Sequence, residues 1–235
     1  MMNNLLISED QSKTLLQFLE KHPLEWRYET RKHRILFEGD DDKLVTFRLP
    51  ISIPSPGAHY HIPDDRCNYI LLMVRSGIAS VGYFENGVNI DHKVFRAYMV
   101  RKKQGMSQIK YLKTKGKSRA GSRVRLADTR EFFEDINTRL ALYFDDFHIE
   151  RIGLSCPATL FPFLFKSKIP TPFEKNDPRI LKIPKHIQHP TFEALLDTNA
   201  YLLQGELQYK EEGELVKQLL QAFATQKKQS QDDSW

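Results

Sequence analysis

The sequence predicts a mixed α/β fold in which a three-strand antiparallel meander is followed by alternating helices and strands. Three observations predict it. Tyr69–Val74 is an unbroken apolar run, as expected of a central strand covered on both faces. Asn86-Gly87 separates two strand-like runs and is a strong two-residue hairpin signal. Phe133, Ile136, Leu140, Phe144 and Phe147 recur at spacings of three and four, the stripe of a helix laid on a sheet.

Taken in order, Leu5 to His22 reads as a helix. Leu15, Leu16, Phe18 and Leu19 cluster, and Ser8 and Gln11 have capping-box spacing. Two strand-like runs follow, Arg34–Phe37 and Leu44–Leu49, on either side of the acidic turn Gly39–Asp42. Pro50 to Pro63 holds four prolines and reads as a linker. The meander then comprises Tyr69–Arg75, Ile78–Glu85 and Val88–Val100, the last with Val88, Ile90, His92 and Val94 on one side. After a basic segment, a helix starts at Ser122 or Asp128 and carries the aromatic stripe. Ile149–Ser155 is a strand, Pro157–Phe165 a short helix with proline in its first turn, Ile180–Ile183 a strand and Phe192–Leu203 a helix. This is the element order of ribonuclease-H-like folds, a mixed sheet with helices packed on it. Glu212–Thr225 reads as a final helix and the residues after it as a polar tail. The expected division is 1–62, a small N-terminal α/β extension of helix, β-hairpin and Pro-rich linker; 63–205, the main domain; and 206–235, a C-terminal helix and tail.

Composition sets the class. Of 235 residues, 40% are hydrophobic and 28% charged, the balance of a globular protein. No apolar run approaches the roughly 20 residues that span a bilayer. The first residues show no basic stretch leading into an apolar one, so no signal peptide is expected. Cys67 and Cys156 are the only cysteines, which leaves no disulfide framework and no cysteine-based zinc site, and makes the cytoplasm the expected compartment.

Charge is the informative feature. Between Arg101 and Arg125 stand ten basic residues, Arg101, Lys102, Lys103, Lys110, Lys113, Lys115, Lys117, Arg119, Arg123 and Arg125, and no acid. The whole chain is +5, so the other 210 residues together carry −5. A segment of charge +10 repels itself and is suited to a polyanion. Phosphate backbones fit, because neutralising them releases condensed counterions. A membrane surface fits less well, since the segment lacks a bulky apolar face.

Several chemistries are excluded by spacing. Gly116-Lys117-Ser118 resembles the end of a phosphate-binding loop, but position 111 is tyrosine where that motif requires glycine. Ser107 is followed two positions later by Ile109, which rules out a nucleophile elbow. His59/His61 and His186/His189 have no acid or cysteine cluster beside them and read as surface histidines. Tyr69–Arg75 contains no acid, which argues against metal-dependent phosphodiester cleavage of the ribonuclease H type.

Within the basic segment, Arg101-Lys102-Lys103-Gln104-Gly105 leads into Met106-Ser107-Gln108, and Ala120-Gly121-Ser122 follows downstream. This pattern resembles the VLRF family, release-factor-like peptidyl-tRNA hydrolases of ribosome-associated quality control, in a compact bacterial-type form. The family is related to the central domain of the eukaryotic class-one release factor, whose own motif is Gly-Gly-Gln. The resemblance spans roughly Cys67 to Leu203. It implies a ribonuclease-H-like, release-factor central-domain-like fold that presents the motif on a long loop, here 101–121, between the third strand and the next helix. It also implies a catalytic set of Gly105, Ser107 and Gln108 without cofactor or metal. The ten basic residues would bind RNA, and the partners would be the large ribosomal subunit, its rRNA and the peptidyl-tRNA acceptor end. Glutamine does not titrate, so Gln108 would position a water rather than act as an acid or base. The same charge also suits a non-catalytic rRNA- and tRNA-binding factor of the ribosome.

Overall fold

Two five-stranded sheets organise the chain in the computed structural model, which describes residues 3–21, 25–37, 45–56, 67–97, 117–209 and 217. The chain begins with β1 (Asn3–Ile7), α1 (Glu9–Lys21), β2 (Trp26–Glu29), β3 (Arg34–Phe37) and β4 (Val45–Arg48). The meander β5 (Tyr69–Arg75), β6 (Ile78–Glu85) and β7 (Val88–Arg96) follows. Next come α2 (Lys117–Asp146), β8 (Arg151–Ser155), α3 (Phe161–Phe165), β9 (Ile180–Lys182), α4 (Phe192–Leu202) and β10 (Gly205–Tyr209). The acidic turn Gly39–Asp42 lies outside the described residues, as does all but Lys217 of the expected helix Glu212–Thr225.

The second sheet has the order β7-β6-β5-β8-β9, with β5, β8 and β9 parallel and β6 antiparallel to both neighbours. Counted from β5, that is 3-2-1-4-5, the ribonuclease-H-like arrangement expected from element order. The hairpin between β6 and β7 turns at Asn86 (φ 50°) and Gly87 (φ 81°); two successive positive φ values match the right-handed twist of the strands. Both faces of the sheet are covered. Ile70, Leu72 and Val74 pack under Phe132, Phe133, Ile136, Leu140 and Tyr143 of α2. Tyr69, Leu71 and Met73 pack with Leu195 and Leu202 of α4. Fully burying each such side chain contributes about 1.5–3 kcal/mol, which is why β5 is apolar at every position from Tyr69 to Val74. Val88 and Ile90, at the start of edge strand β7, remain exposed.

The first sheet has the order β1-β10-β4-β3-β2 and is antiparallel throughout. The expectation of a helix from Leu5 is corrected here. Ser8 ends the strand and caps α1: its Oγ accepts the Gln11 N–H (3.2 Å) and Gln11 Oε1 accepts the Ser8 N–H (2.9 Å). The helix therefore begins at Glu9, and residues 3–7 find backbone partners on β10 instead. β10 lies between β1 and β4, so this sheet is assembled from both sides of the second one in sequence. Gly205 permits it, since a Cβ there would stand 2.3 Å from Ser12 Oγ of α1. α1 covers one face, burying Leu15, Leu16 and Leu19 against Ile35, Phe37, Phe47 and Leu207.

Part of the expected Pro-rich linker is the joint between the sheets. Ile51 packs in the core under α4 and Ile53 in the core under α1. Beside them lies a buried polar knot. His33 Nε2 donates to the Pro50 carbonyl (3.0 Å), and His33 Nδ1 accepts from Arg151 Nη1 (3.0 Å) and from the Tyr28 hydroxyl. Arg151 also reaches Cys67 Sγ (3.4 Å) and Ser55 Oγ (3.4 Å). Burial, reinforced by the Arg151 guanidinium, holds the His33 imidazole well below its ordinary pKa, so it is the neutral ring that accepts both bonds.

Candidate functional site

Register shows where the basic segment attaches. Arg75 pairs with Ile78, Ile78 with Arg96, and Met73 with Ser155, so β5, β7 and β8 all end at one edge of the second sheet. Ala97 is tied there by its N–H to the Gly77 carbonyl (2.9 Å). Residues 98–116 thus connect the carboxyl edge of the sheet to the first residue of α2, and the carboxyl ends of parallel strands are where α/β folds bind ligands.

α2 returns along the sheet antiparallel to β5 and β8. Arg139 pairs with Asp91, which lies across β6 from Ile70 near the start of β5. Phe133 stacks on Phe163 of α3, which follows β8 at the carboxyl edge (5.9 Å between rings). At about 1.5 Å per residue, the helix draws level with Arg75 near residue 128. Its first three turns precede that level in the chain. Asn137 fixes the helix against α3 and the segment after it: its buried Nδ2 donates to the carbonyls of Leu164 (2.9 Å) and Ile169 (2.7 Å).

Four of the expected RNA-binding residues, Lys117, Arg119, Arg123 and Arg125, lie in the first three turns of α2. This corrects the expected loop of 101–121 and the expected helix start at Ser122 or Asp128. The backbone is helical from Lys117, although the basic stretch has no apolar periodicity by which sequence could reveal it. The first turn has no acid. A helix N-terminus already carries about half a positive charge, and cations there are disfavoured. The sequence has cations from Lys117 to Arg125 and its first acid at Asp128, so no carboxylate offsets the positive end of the helix dipole there. Arg101, Lys102, Lys103, Gly105, Ser107, Gln108, Lys110, Lys113 and Lys115 lie outside the described residues.

Sequence patterning does not single out the edge itself, where Arg75 ends β5, Ser155 ends β8 and Cys156 follows. No acid stands at either strand end. Burial pushes the Cys156 thiol up to about 12, a shift that the nearby Arg75 charge opposes but does not cancel; burial also raises Cys67. Neither thiol is an available nucleophile. His186 and His189 are exposed, and His59 and His61 lie outside the described residues. Among the described residues no three His, Cys, Asp or Glu side chains gather as metal ligands.

A ribonuclease-H-like sheet whose third strand is followed in sequence by a cationic stretch and a long helix is the arrangement expected of a release-factor-like domain. The comparisons with known proteins carry this further. The description "Bacteroidetes VLRF1 release factor" matches residues 69–210, from the first residue of β5 to just beyond β10. The chain belongs to this bVLRF1 family. No curated protein matches it. A solved structure, the Vms1 mitochondrial localization core, is similar with a TM-score of 0.39 and 12% identity, over 83% of this chain and 80% of that one.

Proposed function

We propose that this protein hydrolyses the ester of peptidyl-tRNA on the large ribosomal subunit in the cytoplasm, freeing nascent chains. What supports the reading is chain order: Gly105–Gln108 falls in the sequence between β7, which ends at the carboxyl edge of the second sheet, and α2, whose first turn has no acid. The lysines and arginines from Arg101 to Arg125 neutralise phosphates of rRNA and of the tRNA acceptor end, which gives affinity without sequence reading. Gly105 lets the backbone turn tightly and pass close to RNA. The Gln108 carboxamide donates and accepts hydrogen bonds without titrating, so it holds the attacking water against the ester carbonyl. Water adds to that carbonyl, the tetrahedral oxyanion is met by hydrogen-bond donors of the ribosomal centre, and the ribose hydroxyl leaves with the water's proton. The acid-free ends of β5 and β8 support ester hydrolysis over metal-dependent cutting of the RNA backbone.

The test is single-turnover peptide release from large-subunit–peptidyl-tRNA complexes. Gln108→Ala is expected to slow release by about a hundredfold, the scale of losing one preorganised hydrogen-bonding group. Release at the wild-type rate would refute the role of Gln108. Salt-dependent binding with no release by the wild type would instead leave a ribosome-binding factor without hydrolase activity.

A further inference from the structure

The face of the first sheet opposite α1 carries a row of charges in direct cross-strand register. Glu29 on β2 pairs with Arg34 on β3, Arg34 with Arg48 on β4, and Arg48 with Glu206 on β10. Two arginines directly opposite one another repel. Each is drawn outward to its own acid, Arg34 Nε to Glu29 Oε2 at 2.6 Å and Arg48 Nε to Glu206 Oε2 at 3.2 Å. Glu206 is then fully engaged, since its oxygens also accept from the Tyr201 hydroxyl (2.7 Å) and Gln208 Nε2 (3.0 Å).

A cleft of about 170 Å³ opens over this row, between the first sheet and the end of β9. Lys32, Arg34, Arg48 and Lys182 line it, with Glu206 as the one acid among the described residues of its wall. With Glu29 counted against Lys32 and Arg34, two positive charges remain in surplus. The Arg48 side chain is only 8% exposed and borders the cleft, and its Nη1 is buried with no hydrogen-bond partner among the described residues. An unpaired guanidinium N–H is costly to bury. Lys182 is exposed and enters no ion pair among the described residues.

We propose that this cleft is a second anion site, built to take one phosphate group, and that its occupant is a backbone phosphodiester of RNA; the choice of occupant rests on the ribosomal reading above. Lys182, Lys32 and Arg34 supply the donors, and Arg48, buried beneath them, adds its charge to the lining. The site draws on β3, β4 and β9, so it joins the first sheet to the second. An RNA strand held here would fix the orientation in which the Gln108 segment approaches its substrate.

The test uses the full chain and has two arms. In the first, lysines are lightly acetylated and read by mass spectrometry in inorganic phosphate against chloride of equal ionic strength, with Lys168 as an exposed control outside the cleft. Lys182 and Lys32 are expected to be protected several-fold by phosphate while Lys168 is unchanged. No differential protection, or equal protection in chloride, overturns the anion site. In the second arm, affinity for purified large subunits is measured across a salt series. Lys182→Glu, a change at an exposed side chain, is expected to lower the salt slope by about one and to weaken binding about tenfold at 0.1 M salt. An unchanged slope overturns RNA as the occupant, even where phosphate protects. Neither arm reads peptide release, so loss of the Gln108 role and loss of this site give different results.

Discussion

The second sheet is covered on both faces, whereas the first has α1 on one face and a charged row on the other. In the second, every β5 position from Tyr69 to Val74 is buried, and no polar side chain interrupts it. In the first, β10 alternates: Leu207 and Tyr209 join the core under α1, while Glu206 and Gln208 face the cleft. Burial on both faces makes the second sheet a rigid base for the connection at its carboxyl edge. The one-sided sheet keeps a face on which charges can be held in register for a ligand.

The largest expected difference between the two is in stability. Leu72→Ala, at a fully buried position of the central strand, should lower unfolding free energy by about 2–5 kcal/mol. Gln208→Ala on the polar face loses its hydrogen bond to Glu206 and the long one (3.4 Å) from the Thr46 hydroxyl, and should lose about 1 kcal/mol. Denaturant unfolding of both variants measures it, and equal losses would erase the distinction. The joint between the sheets comes next. His33 is held below its ordinary value of 6.5, so the unfolded chain takes up its proton first on acidification. Stability should therefore fall below about pH 6.5, by up to about 1.4 kcal/mol per pH unit, until the folded ring itself protonates. Replacing the ring, as in His33→Gln, should flatten that limb of a pH series of unfolding curves; an unchanged slope would mean that His33 does not link pH to the joint. The smallest effect concerns the single cover of the first sheet. Ser8→Ala removes the reciprocal cap of α1 and should lower stability by about 1 kcal/mol, read by thermal or denaturant unfolding.

Legibility in the sequence follows the range of the interactions involved. The meander was readable because Asn86-Gly87 and the Tyr69–Val74 run are local signals. The Ser8–Gln11 cap was readable for the same reason, yet β1 before it was not, because Asn3–Ile7 becomes a strand only through pairing with residues 205–209. β2 and β10 were missed likewise; each is four or five residues long and takes its identity from a partner strand. Periodicity puts the start of α2 five residues or more too late, because Lys117 to Arg125 has no apolar stripe to reveal it. The anion cleft left no trace in the sequence: Arg34, Arg48 and Lys182 are ordinary cations until three strands bring them together.

The amino-acid sequence alone therefore determined the ribonuclease-H-like order of elements, the cationic segment and its slot between the third strand and the following helix, since periodicity, turn chemistry and charge density are written in consecutive residues. Only the tertiary structure decided that the chain's two flanks share one sheet, that Arg151 and His33 lock it to the other, and that a row of paired charges lies beneath an open cleft. Those features depend on cross-strand register and on burial, and both arise from contacts between residues far apart in the chain.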